Sequence, residues 1–312
     1  MLITFGSIAM ILTLGVDTLP DLNEAVTAGN YTIDSGGKGA NQSLAAVRAG
    51  ADKVALVGKI SDDEMSNHIL TKLRREGVMT SGVAQSALPT STHITIRDPA
   101  GRRFEVIATG ANAETSHEQV PDEILTDKAL LLLQTDLSAA ENATLLERAK
   151  ARGTKTVMNL APSIEMSKKT LKNIDYLIVN HDEAKRLGAQ LDLKVENDAM
   201  KMAEGLAQTG DLHCIITLGA RGAVAVTPDR VGWEVPALPI EALIDHEGAE
   251  DAYCGTFAAF IYQGMPFARA LKRASVAGSL ACTKPGIQES FPYLDDIEKN
   301  LGRVEDPKQV DL

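Results

Sequence analysis

Ala129-Leu130-Leu131-Leu132-Leu133-Gln134-Thr135-Asp136 sets the reading of the whole chain. Ala129–Leu133 is an apolar strand candidate, and the polar residues that end it suit the edge of a site. The pattern recurs downstream at Thr156–Asn159, Tyr176–Val179, Cys214–Leu218 and Ala223–Val226. Helical patterns fall between and after these strands, at about Ala139–Ala151, Asp182–Leu187, Glu196–Gln208, Ala249–Gln263 and Phe267–Cys282. Continuous apolar strands alternating with helices predict an α/β fold with a parallel sheet covered on both faces. Polar groups at the carboxyl ends of such strands are where an open α/β sheet binds ligands.

Upstream, Leu2–Phe5 and Val54–Val57 read as buried strands and Asp62–Glu76 as an amphipathic helix. Ile8–Leu14 and Tyr31–Ile33 are β-prone segments around the polar loop Asp17–Glu24. Thr92–Ile96 and Arg103–Ile107 form a hairpin pattern around Asp98-Pro99-Ala100-Gly101, and their alternation predicts one exposed face. These segments break the βα repeat and are assigned to a small β-sheet lid. The polar tail, Gly302–Leu312, is expected to fray.

A chain of 312 residues fits one large α/β domain with a small appendage. An apolar fraction of 44% supplies a full core, and with aromatics at 4% that core must be aliphatic. The net charge, 31 − 42 = −11, argues against a nucleic-acid or anionic-membrane partner. Cys214, Cys254 and Cys282 show no CxxC spacing and cannot all pair, so a reduced, cytoplasmic compartment is the simpler account. The histidines form no zinc-ligand pattern. Met1–Val16 lacks a basic segment and is interrupted by Gly6-Ser7, so it reads as strand, turn, strand. No stretch approaches the roughly 18 apolar residues of a membrane span.

Several strand ends and helix starts carry candidate chemistry. Asp245-His246-Glu247-Gly248-Ala249-Glu250-Asp251 opens a helix with small residues and a first-turn carboxylate. Free backbone N–H groups at such an end can hold an anion, and Asp251 beside them can take a proton from an attacking hydroxyl. The plain alternative is an ordinary acidic helix start. Gly36-Gly37-Lys38-Gly39-Ala40-Asn41 precedes a helical pattern at Ser43–Ala49, lets a ligand lie against the backbone, and offers Lys38 and Asn41 as donors. It lacks the ending of a P-loop. Asn180 and Glu183 could orient magnesium-bound waters and phosphate, or simply form a helix capping box. Thr217-Leu218-Gly219-Ala220-Arg221-Gly222 suits a turn under a nucleotide, or any tight turn. Asp136 is placed to accept hydrogen bonds from substrate hydroxyls.

Together these motifs resemble the ribokinase-like (PfkB) sugar kinase family over roughly Leu2 to Leu301. GGKGAN near residue 37, LLQTD near 134, NLAP near 160, NHDE near 181, TLGARG near 219, EGAED near 249 and TKPGIQ near 286 follow the family's order and spacing. The resemblance implies a three-layer sandwich with a mostly parallel central sheet of nine or so strands flanked by helices. It implies a single domain over 1–312, with the β lid built from about 8–35 and 90–108. ATP as donor, magnesium and, often, a potassium ion are implied with it. Carried over by position, Asp251 is the base, and Gly248 and Ala249 contribute the anion hole. Gly37, Lys38, Asn41 and Asp136 contact the sugar-like substrate. Asn180 and Glu183 match the magnesium–phosphate motif, with Glu183 acting through water. Thr217, Gly219 and Gly222 line the nucleotide, Ser275 lies near the adenine, and Asp245 and Gly286 flank the monovalent cation. An exposed lid face suits a homodimer.

Two departures stand out. The family usually reads D-T-T-G-A-G-D where this chain has Asp245 to Asp251, so Glu250 replaces an anion-hole glycine and sets a carboxylate beside the phosphate. Losing one such donor costs about 10²–10³ in turnover, and a glycine at 250 is expected to raise turnover if the side chain points into the site. Ala9 and Ile11 stand where ribokinases carry the Asn and Asp that hold ribose hydroxyls, which favours a less hydroxylated or partly apolar acceptor. Two functional classes follow: a kinase of a sugar or related small molecule, or a catalytically weakened relative that binds a sugar or nucleoside and regulates. The retained Asp251, GGKGAN and NHDE favour the kinase.

Overall fold

The protein is described by a computed structural model over residues 1–194 and 197–312. The chain begins β1 (Leu2–Phe5), β2 (Ala9–Gly15), β3 (Asn30–Gly36), α1 (Lys38–Arg48), β4 (Val54–Ser61) and α2 (Glu64–Glu76). It continues β5 (Met79–Ser86), β6 (Ser91–Arg97), β7 (Arg103–Ala108), β8 (Leu130–Gln134), α3 (Ala139–Ala151), β9 (Lys155–Asn159) and α4 (Lys168–Leu171). Next come β10 (Tyr176–Asn180), α5 (His181–Gln190), α6 (Ala199–Gly210), β11 (His213–Thr217), β12 (Ala223–Val226) and β13 (Gly232–Val235). The chain ends with α7 (Ala249–Tyr262), α8 (Phe267–Ala281), α9 (Leu294–Asn300) and β14 (Lys308–Val310).

The large sheet has ten strands in the order β14-β13-β12-β11-β10-β9-β8-β1-β4-β5. Parallel pairs run unbroken from β5 to β11, and β12, β13 and β14 extend it antiparallel. Successive side chains alternate between the faces, which explains the unbroken leucine run of β8. Leu131 and Leu133 pack with Leu145 of α3, Ala184 of α5 and Leu206 of α6. Leu130 and Leu132 pack with Phe257 of α7 and Leu271 of α8. Both faces are therefore dry, as a parallel sheet requires. The register sets Gln134 beside Asn159 and Asn180 beside Thr217, so these polar ends share one edge of the sheet.

A separate four-stranded sheet, in the order β3-β2-β6-β7, stands apart from this core. Its strands span Ala9–Gly36 and Ser91–Ala108 along the chain. Paired residues share a face, so Leu12, Ile33, Ile94 and Val106 lie together, and Ile11, His93 and Ile107 lie on the opposite face.

Three details depart from the sequence expectations, and one expected helix start lies beyond what is described. The main sheet has ten strands, where nine or so were implied. Helix α1 starts at Lys38, ahead of Ser43, because Gly37 takes φ 88° and the Lys38 and Ala40 N–H groups donate to Ser7 Oγ and Ser7 O. A Cβ on Gly37 would lie 2.7 Å from Ser7 O and 2.8 Å from Ala9 N, so only glycine fits there. The tail is pinned by β14, whose Gln309 pairs with Trp233. The helix expected at Glu196–Gln208 is seen as α6, and Glu196 itself lies outside the described residues.

Candidate active site

Asp251 occupies the first turn of α7 with both carboxylate oxygens engaged. Asn41 Nδ2 donates to Oδ2 at 2.8 Å and Gln42 Nε2 to Oδ1 at 2.9 Å. The start of α7 is thus tied to the start of α1, two segments more than 200 positions apart in the chain. Gly248, the N-cap, has φ 79°, and a Cβ there would lie 2.9 Å from both Ile287 and Phe291. No side chain caps this helix, so its first-turn N–H groups keep their positive partial charge for an incoming anion.

Asp251 opens into a cleft of about 340 Å³ lined by Gly37, Lys38, Asn41, Gly248, Glu250, His93 and Ile11, among others. Burial alone would lower the Lys38 ammonium, but Asp251, Glu250 and Asp136 reverse this and hold it above its ordinary value. An ammonium kept charged by neighbouring carboxylates is suited to a substrate oxygen or a phosphoryl group. Asp136 lies behind it. The Ser7 hydroxyl donates to Asp136 Oδ2 and accepts the Lys38 N–H, while Asp136 Oδ1 is buried without a partner. Burial pushes the Asp136 carboxyl above the usual carboxylate range.

A second cavity, about 360 Å³, is lined by Asn180, His181, Glu183, Arg186, Thr217, Gly219 and Arg221. Asn180 Oδ1 accepts the Asp182 and Glu183 N–H groups, and Glu183 Oε2 accepts the Asn180 N–H. The capping-box alternative for this pair is therefore realised, and the rim of the cavity is built from it. Burial, then the nearby Glu250 carboxylate, push Glu183 up to about 7 against the Asn180 N–H bond.

Glu250 turns inward. Its Oε1 accepts from Asn159 Nδ2 at 2.6 Å, and it also lines the Asp251 cleft. Ser275 is 4% exposed and its hydroxyl donates to Pro236 O at 2.8 Å. It therefore braces Pro236 with its hydroxyl. Gly222 closes the turn after β11 by accepting the Leu218 N–H at 2.7 Å. Asp245 Oδ1 accepts the Glu247 N–H at 3.0 Å, and Ile244 N donates to Cys282 O at 3.0 Å. The Asp245 segment is thereby docked against the turn that leads to Gly286.

Sequence reasoning missed Gln42, Asn159, His93, Arg103, Glu105, Arg186 and Arg221. A signal for His93 and Glu105 existed in the alternation of the hairpin. Asn159 was signalled as a polar strand end, but nothing signalled its contact with Gln42, which the fold alone creates.

The pattern of the pfkB family carbohydrate kinases matches residues 1–294. The chain belongs to that family. A ribokinase from Haemophilus influenzae is 31% identical over 297 residues, covering 93% of this chain and 95% of the relative. Among solved structures, the ribokinase of Thermotoga maritima superposes with a TM-score of 0.88 at 24% identity, over 96% of this chain and 99% of that one. The ribokinase of Arabidopsis thaliana, solved with ribose and ATP, gives 0.86 at 22% identity, over 96% and 98%. The fold is that of these kinases: a large mostly parallel sheet flanked by helices, with a smaller separate sheet.

Proposed function

We propose that this carbohydrate kinase transfers the terminal phosphoryl group of ATP to a hydroxyl of a sugar-like small molecule, with Asp251 as general base. The observation that carries the reading is Asp251 itself, fixed by Asn41 and Gln42 at an uncapped helix start and opening into a cleft. The acceptor hydroxyl gives its proton to Asp251. Its oxygen forms a bond to the terminal phosphorus, and the bond from phosphorus to ADP breaks. Lys38 and the first-turn N–H groups of α7 stabilise the negative charge on the moving group. Gly248 and Ala249 supply that helix start. Thr217, Gly219, Asn180 and Arg221 line the cavity in which the nucleotide lies.

Among the described residues no cluster of three His, Cys, Asp or Glu side chains stands ready for a metal. The donor set fits magnesium held largely by phosphate oxygens and water, with Glu183 as its protein carboxylate. When bound, the ion neutralises phosphate charge, and it would restore the ionised form of Glu183. Asp245 keeps one carboxylate oxygen for a monovalent cation beside the Gly286 loop. Ile11 and Ile107 present apolar surface to the acceptor, which favours a compound with fewer hydroxyls than ribose. The small sheet closes over the cleft as a lid, and its outer face joins two copies of the chain.

Glu250 is the observation behind a second reading, a weakened relative that binds and regulates, because it sets a carboxylate in the cleft. ATP consumption measured over a panel of sugars, deoxysugars and nucleosides separates the two. Turnover of at least one acceptor, dependent on Asp251, supports the kinase. Ligand binding without turnover supports the regulator.

A further inference from the structure

Behind the reacting group runs a buried chain of amides with a carboxylate at each end. Gln134 Nε2 donates to Gln42 Oε1 at 2.7 Å. That leaves Gln42 Nε2 to donate to Asn159 Oδ1 at 3.0 Å and to Asp251 Oδ1 at 2.9 Å. Asn159 then presents Nδ2 to Glu250 Oε1 at 2.6 Å. Gln42, Gln134 and Asn159 are all 0% exposed, so no water competes for these groups.

The direction of each bond is forced. An ionised carboxylate only accepts, whereas an amide has one accepting and one donating end. Glu250, with the longer contact of the same Nδ2 to Ile178 O at 3.5 Å beside it, therefore points Asn159 Nδ2 outward and Oδ1 at Gln42. With Oδ1 there, Gln42 keeps its N–H groups toward both Asn159 and Asp251. Reversing Asn159 would set Nδ2 against Gln42 Nε2, donor against donor. A buried amide so placed leaves unmade bonds at about 1–3 kcal/mol each, and Gln42 would turn away from Asp251.

We propose that Gln42 is the residue that positions the Asp251 carboxylate, and that Glu250 acts on Asp251 through Asn159 and Gln42. The proposal rests on the kinase reading of Asp251. Glu250 is then a positioning residue, and its presence in the cleft serves the base.

The test compares the parent with Glu250→Ala, Glu250→Gln, Gln42→Met and the Glu250→Ala, Gln42→Met double variant. Steady-state kinetics with ATP, magnesium and whichever acceptor turns over are read beside hydrogen exchange of the Gln42 and Asn159 side-chain amides by nuclear magnetic resonance. Glu250→Ala is expected to lower kcat about tenfold with acceptor KM nearly unchanged, and to speed exchange at Gln42. Glu250→Gln still accepts from Asn159, so it recovers most of the loss. Gln42→Met is expected to cost about 10² in kcat by misplacing the base, and the double variant no more than that. If Gln42→Met does not fold, Glu250→Ala and Glu250→Gln still decide, because Glu250 is only partly buried. A kcat at or above parent in Glu250→Ala, or unchanged Gln42 amide exchange in that variant, overturns the proposal. Should the parent phosphorylate nothing, the kinase reading falls, and amide exchange alone decides whether Glu250 governs Gln42.

Discussion

At Asp251 each carboxylate oxygen already accepts one amide N–H, and this shapes what substitution does. Asp251→Asn removes the base and also points an amide N–H at either Asn41 Nδ2 or Gln42 Nε2, both donors. Turnover should fall by about 10²–10⁴, with a stability loss of about 1 kcal/mol from the donor clash. Kinetics and a thermal melt check both, and near-parental turnover would remove Asp251 from the mechanism. Glu250 reverses an expectation. A glycine there was expected to raise turnover, but the side chain anchors Asn159, so its loss should lower kcat. Glu183 offers a pH test. Its folded pKa, about 7, exceeds the ordinary 4.5 because of burial and then Glu250. An acid raised on folding stabilises the protein fully below 4.5, and that contribution is lost as pH rises through about 7. Glu183→Gln mimics the protonated form and still caps Asn180. Relative to parent it should gain stability from pH 4.5 to above 7, by on the order of 1–2 kcal/mol after allowing for screening in an open cleft. Denaturation curves across that range, without nucleotide, would show no such trend if Glu183 were ordinarily solvated.

Among elements, the hairpin of β6 and β7 is the least supported. Every residue of β7 is exposed, and among the described residues the strand pairs only with β6. Its inner face carries His93, Arg103, Glu105 and Ile107 over the cleft. Backbone amides of 103–108 should exchange fast in the free protein and slow when acceptor and nucleotide are both bound, because lid closure excludes water from phosphoryl transfer. Equal protection in the two states would count against a lid. The same scale shows what sequence could tell. β8, β10 and β11 were legible because strands buried on both faces are unbroken apolar runs. β5 and β14 were not: β5 is an edge strand with Gly82 and mostly polar residues, and β14 is three residues held only by pairing to β13. In the site, Asp251, Lys38 and Asn41 were legible as helix starts with chemistry attached. The joint role of Gln42 and Asn159 was not, because it comes from contacts spanning 91 to 209 positions.

For the whole molecule, the uncovered feature is the outer face of the small sheet. Tyr31 is 65% exposed, Ile33 55%, Phe104 53% and Val106 58%, and the register places them with Leu12, Leu14, Ile94 and Ile96 on one side. A contiguous apolar face of this kind marks an association surface more often than free surface. The proposed partner, a second copy of the chain, supplies the same face in return, as a two-fold contact requires. The parent should sediment as a dimer at about micromolar concentration. Ile33→Glu and Val106→Glu each place a charge at the centre of that face, and each should weaken association by about 10² or more, the scale of a buried interface anchor. A parent that stays monomeric at about 100 micromolar would refute the interface. Thr32 and Asp34 flank Ile33, Glu105 and Ile107 flank Val106, and these neighbours point to the opposite side of the strands. Ile33 does not line the cleft, so Ile33→Glu carries the kinetic readout, whereas Val106 also borders the cleft and Val106→Glu reads association alone. With acceptor saturating, an unchanged kcat identifies a lost dimer, and a fallen kcat with a raised acceptor KM means that the lid closes properly only when its outer face is covered.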